Sequence, residues 1–86
     1  MGSEKRPRGR RRTPARRGDA ARRLGARIRE LRVAREASQA QIGGAFYTRA
    51  HISAIELGKV SPNLATLIYI AHQLELPVRE LIPEDL

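Results

Sequence analysis

The sequence predicts an all-α fold, a bundle of five short helices carried behind a basic N-terminal arm that is disordered on its own. Three observations lead to it. Apolar residues recur at helical spacing from Leu24 onward, and no convincing strand interrupts them. Ser38, Thr48 and Asn63 stand where helices should start, and Gly58 and Pro83 stand where helices should stop. The net charge of +8 sits at one end: residues 1–23 carry ten Lys or Arg against Glu4 and Asp19, whereas residues 24–86 carry seven bases against seven acids.

Residues 1–18 form the arm and residues 19–86 the folded domain. The arm holds eight Lys or Arg, two Pro, three Gly and no large apolar side chain beyond Met1. Such a segment cannot offset its ordering entropy by burial. Its charge favours a polyanion, with Arg8, Arg10, Arg11 and Arg12 as phosphate or minor-groove contacts. Roughly sixty residues remain to fold, a size that buries only ~60% of its unfolded surface and has no room for a deep enclosed active site.

Composition excludes several functions. There is no Cys, hence no disulfide and no thiolate metal site. His51 and His72 do not make a zinc site by themselves, and neither has a partner at the spacing of a catalytic triad. The expectation is therefore no metal, no cofactor and no enzyme. No apolar run spans a membrane. Tyr47 and Tyr69 are too few for a platform that stacks single-stranded bases. The lack of Cys fits the cytoplasm, which is the expected location.

Taken in order, helix one spans about Ala20–Ala37. Asp19 caps it, and Leu24, Ile28 and Leu31 share one face. Ser38-Gln39-Ala40-Gln41 has the spacing of a capping box. Helix two then runs to about Ala45, with Ile42 inward and Phe46 packing just past its end. Gly43 and Gly44 allow either close approach of a second helix or an early stop. Tyr47-Thr48 is the turn, and Thr48 caps helix three, about Arg49–Leu57, before Gly58. Ile52 and Ile55 face inward; Arg49, Ala50, Ser53 and Ala54 face outward. After a loop, Asn63 caps helix four, Leu64–Leu74, whose apolar stripe reads Leu64, Leu67, Ile68, Ala71 and Leu74. Pro77 opens a short fifth helix, Val78–Ile82.

The ordered series S-Q-x-x-I (38–42), I-S-x-I-E-x-G-K (52–59) and P-x-L-x-x-L (62–67), with IRELR (28–32) ahead of it, resembles the XRE family of phage repressor and Cro-like helix-turn-helix domains. The resemblance covers Leu24–Ile82 and implies a lambda-repressor-like five-helix domain. The link from Ile42 to Ile52 is one residue shorter than the common pattern, and Tyr47 falls near the position where Gly is usual. The resemblance matches Arg49, Ala50 and Ala54 to base-reading positions. It matches Gln39 to a glutamine that contacts the DNA backbone and braces the reading helix. It also pairs Glu56 with Arg32.

A helix fits the B-DNA major groove, about 12 Å wide, with its first turn at the base edges. Arg49 could then hold a guanine bidentately. Thr48, His51 and Ser53 would meet phosphate, and Lys59 with its neighbouring amides a second phosphate. The partner expected is double-stranded DNA. One subunit reads half a site, so a homodimer follows, with Val78, Leu81 and Ile82 as its surface. The expected function is transcriptional regulation, as a repressor. Alternatives are an antitoxin that also binds a toxin, the DNA-binding module of a longer regulator with a sensor domain, or a non-specific nucleoid or RNA binder.

Overall fold

The computed structural model describes the backbone of residues 5–84 and the side chains of residues 18–84. In chain order it contains α1 (Lys5–Ala34), α2 (Gln39–Gly43), α3 (Arg49–Glu56), α4 (Leu64–Leu74) and a 3-10 turn (Val78–Leu81), with no strand among the described residues.

The helix bounds of α1 correct the expected start at Ala20. Its backbone continues upstream to Lys5, where a separate arm was expected. Arg and Ala are good helix formers, and Pro7 falls in the first turn, where its missing N–H costs nothing, whereas Pro14 lies in the helix interior and removes one backbone hydrogen bond there. The arm side chains Arg8, Arg10, Arg11 and Arg12 lie outside the described side chains. At its other end α1 stops at Ala34, because Glu36 adopts a left-handed φ of 58°. The amide of Ala37 then donates back to the Arg32 carbonyl (3.2 Å) and that of Glu36 to Val33 (2.9 Å).

The core is Leu24 and Ile28 of α1, Ile42 of α2, Ile52 and Ile55 of α3, Leu67, Ile70, Ala71 and Leu74 of α4, and Leu81. Each large member is worth ~1.5–3 kcal/mol in area removed from water. The stripe on α4 is corrected by one position: Ile70 is fully buried, while Leu64 and Ile68 face outward. Leu67, Ile70, Ala71 and Leu74 follow i, i+3, i+4, i+7 as closely as the expected set does, so periodicity alone left the register open.

Helix α2 is too short to stand alone and is held by its cap and its packing. Ser38 Oγ accepts from the Gln41 amide at 3.0 Å, and the Ser38 amide donates to Gln41 Oε1 at 2.7 Å. The helix ends at Gly43, earlier than the expected Ala45. Gly44 takes φ 59°, ψ −139°, a region open essentially to glycine alone, and a Cβ there would strike the Tyr69 hydroxyl. Gly44 thus does the work of the turn glycine three residues before Tyr47. Phe46, just past the end of α2, is 75% exposed and makes a T-shaped contact with the Tyr69 ring.

Where α1 crosses the end of α3, Gly25 lies directly against the backbone carbonyls of Ile55 and Glu56. Only hydrogen fits there, so Gly25 fixes the crossing of these two helices.

The fifth element is a single 3-10 turn and not the expected α-helix. Pro77 and Pro83 bracket only five residues, and Pro83 forces Ile82 into extended backbone (φ −93°, ψ 115°). Arg27 ties this turn to α1, donating from Nε to the Glu80 carbonyl at 2.9 Å. Leu81 is fully buried in this chain's own core, which corrects its assignment to a dimer surface, and Val78 packs partly buried against that core. Of that set, Ile82 remains exposed.

Candidate nucleic-acid interface

Helix α3 is positioned from both ends. At its start Thr48 has extended backbone, and its Oγ1 accepts from the His51 amide at 3.0 Å. At its end Gly58 (φ 77°) turns the chain, so that the Gly58 amide donates to Ile55 O (3.0 Å) and the Lys59 amide to Ala54 O (2.9 Å). The Val60 amide also reaches Ala54 O. The amides around Lys59 are therefore occupied, which corrects their expected use for a second phosphate. Only the Lys59 side chain is available for that.

Ile52 and Ile55 bury one face of α3. The other presents Arg49 and Ala50 as exposed residues, and His51, Ser53 and Ala54 as partly exposed ones. Gln39, Arg49, Ala50 and Ser53 surround one shallow, open depression of about 260 Å³. Thr48 stands at the head of the same helix. Tyr47 supports His51 from behind, with rings stacked at 5.4 Å and 16°. The Tyr47 hydroxyl in turn shares a hydrogen bond with Thr66 Oγ1 (3.1 Å). Ala54 and Lys59 lie further along and do not line the depression.

One acid lies on this helix, and the fold turns it inward. Arg32 donates from Nε to Glu56 Oε2 (2.6 Å) and from Nη2 to Oε1 (3.1 Å). Gln39 Nε2 donates to Oε1 as well (3.0 Å), and Arg32 Nη1 donates to the Ala37 carbonyl (2.9 Å). The hydrogen bond to Glu56 raises the Arg32 pKa above the ordinary arginine range; burial opposes the shift and the Glu56 charge adds to it. The pair neutralises itself, so α3 offers no bare negative charge to an approaching polyanion. Arg49 and Lys59 pair with no described residue, whereas Gln39 braces Glu56 and keeps its carbonyl and one N–H hydrogen free.

A family model described as a helix-turn-helix domain matches residues 23–83, more than half of the chain. The chain belongs to the helix-turn-helix domain family. Within it, the group is XRE-like. No curated protein and no solved structure gives a significant match. The matched segment of the helix-turn-helix domain begins at Arg23 and so leaves the basic segment outside it. The family implies DNA as the partner class. No described helix is long and apolar enough to cross a membrane, and no described cluster of His, Asp or Glu fits a metal ion.

Three residues of this helix-turn-helix domain matter more than their sequence context suggested. Gly25 carries no signal in the sequence, yet it lies against the end of α3. Arg27 and Arg22 are two of many arginines on α1, yet Arg27 bonds the Glu80 carbonyl and Arg22 lies against Gly58 at the end of α3.

Proposed function

We propose that this chain is a sequence-specific, double-stranded DNA-binding transcriptional regulator that acts as a repressor. In this reading α3 enters the major groove, with Arg49, Ala50 and Ala54 at the base edges. Gln39, Thr48, His51, Ser53 and the Lys59 ammonium approach phosphates. The observation that carries it is the convergence of Gln39, Arg49, Ala50 and Ser53 on one open depression, with the Arg49 side chain unpaired among the described residues. A free guanidinium on an exposed first turn suits bidentate contact with guanine. Direct readout is thin, because Ala50 and Ala54 offer only methyl contacts. The basic segment, including Arg8, Arg10, Arg11 and Arg12, then supplies grip through phosphates and the minor groove. Two subunits on a near-palindrome complete the site, with Ile82 the remaining apolar candidate for their contact.

Selection of bound sites from random duplex DNA tests the reading. A palindromic consensus with a guanine in each half is the expected outcome. Recovery of unselected sequence would reject specific binding.

A second reading, in which a toxin or a sensor domain also binds, is favoured by one observation. Phe46, Leu64 and Ile68 are large apolar side chains left exposed. A partner protein would cover such side chains.

A further inference from the structure

We propose that Arg22 of α1 and Lys59 of the turn after α3 form one binding site for a single DNA backbone phosphate, at the opposite end of α3 from Arg49. The inference rests on the DNA-binding reading and deepens it.

The two residues are far apart in sequence and are brought together at Gly58. The position a Gly58 Cβ would occupy lies 2.6 Å from Arg22 Cγ and 2.8 Å from Arg22 Cα. Lys59 is the next residue, one Cα step of about 3.8 Å away. Gly58 is therefore the contact that lets α1 close onto the end of α3, so that Arg22 and Lys59 leave the backbone beside one another, with the Arg22 guanidinium on the side of Gly18 and Asp19. Both are exposed; the Arg22 side chain is 66% accessible.

Little among the described residues neutralises them. Lys59 has no partner there. Among the described residues Arg22 faces Asp19, at 3.9 Å, and Asp19 makes its closer contact, 3.1 Å, with Arg23. Two neighbouring like charges repel, and an anion that bridges them relieves the repulsion. The planar guanidinium suits two phosphate oxygens and the ammonium a third.

The location fits a groove wall. Helix α3 has eight residues, so it is about 12 Å long, close to the width of the major groove. With Arg49 at the base edges, the far end of α3 reaches the rim, where phosphates lie. The backbone of α1 leads from Arg22 back to Lys5, so the basic segment departs from this same rim.

The test uses the full chain and a duplex bearing a selected site, with affinity followed by fluorescence anisotropy from 50 to 300 mM salt. Wild type is compared with Arg22→Gln, Lys59→Gln, the double variant, and Arg79→Gln as an exposed cation on another element. One neutralised phosphate is worth about 0.9 in the slope of log affinity against log salt. The expected result is that the double variant loses about 0.9, that the two single losses do not add beyond it, and that Arg79→Gln keeps the wild-type slope. An unchanged slope in the double variant, a loss near 1.8, or an equal loss in Arg79→Gln would overturn the site while leaving DNA binding intact. Failure of the wild type to bind any duplex would overturn the underlying reading and the site with it. Thermal melting of each variant, expected within a few degrees of wild type, separates lost contact from lost fold.

Discussion

Arg32 grips the carboxylate of Glu56 through two donors, across from α1 to α3, with the two side chains only 13% and 2% exposed. The one acid of α3 is buried, paired and further bonded by Gln39, so it would not oppose the DNA contact proposed for this helix. The same network ties α3 to α1 and holds Gln39 beside the open depression.

Breaking this pair should be costly, because either partner would be left as an uncompensated charge in a dry site. Glu56→Ala and Arg32→Ala are each expected to lose about 3 kcal/mol in urea unfolding. A double-mutant cycle should return a coupling of at least ~1 kcal/mol. The pKa of Arg32 is raised in the folded state, so its contribution is complete below the unfolded value and is lost only as pH climbs beyond the arginine range. Titration of Arg32 should accordingly leave stability unchanged between about pH 5 and 9.

Two glycines of similar appearance should respond in opposite directions. Gly25→Ala would drive a methyl into the carbonyls of Ile55 and Glu56, which are backbone and cannot swing away. A loss of about 3 kcal/mol is expected, with α1 displaced from α3. At Gly43 an added methyl would meet Ile52 Cγ1 at 3.4 Å and the Thr48 carbonyl at 3.5 Å, both ordinary contacts. Gly43→Ala should therefore gain up to ~1 kcal/mol from helix propensity. Chemical denaturation of both variants checks the contrast.

Helices α1 and α4 each end on a left-handed glutamate, Glu36 (φ 58°) and Glu75 (φ 60°). Side chains are strained there, and a negative charge at a helix C-terminus opposes the dipole. Glu36→Gly and Glu75→Gly should each stabilise by about 0.5–1 kcal/mol, read as a rise of several degrees in Tm. The Arg35–Glu75 contact, 3.8 Å and exposed, is too weak to reverse the sign.

On the DNA side, Arg49→Ala should weaken binding to a selected site by about 1–3 kcal/mol and relax preference at one base pair per half-site. Binding to random duplex should change far less, since phosphate contacts dominate there. Anisotropy competition with the selected and randomised sites gives both numbers.

Deleting residues 1–18 should weaken binding and flatten its salt dependence, because eight Lys or Arg are removed. An unchanged slope would show that this segment touches no phosphate.

The sequence by itself determined what depends on near neighbours along the chain. The capping box of Ser38 and Gln41, the caps at Thr48 and Asn63, the stop at Gly58 and the charge step after Arg23 are local chemistry, and each is written in a few adjacent residues. The likeness of the ordered motifs supplied the partnership of Arg32 with Glu56. Tertiary structure decided whatever depends on two distant segments meeting. It made Gly25 the contact between α1 and α3, placed Arg22 beside Lys59, and moved the turn glycine to Gly44 under Tyr69. It chose Ile70 over Ile68 for the core, buried Leu81, and spent the Lys59 amide on Ala54. A side-chain period fixes which residues share a face, but which face is buried depends on what packs against it, and that partner lies elsewhere in the chain.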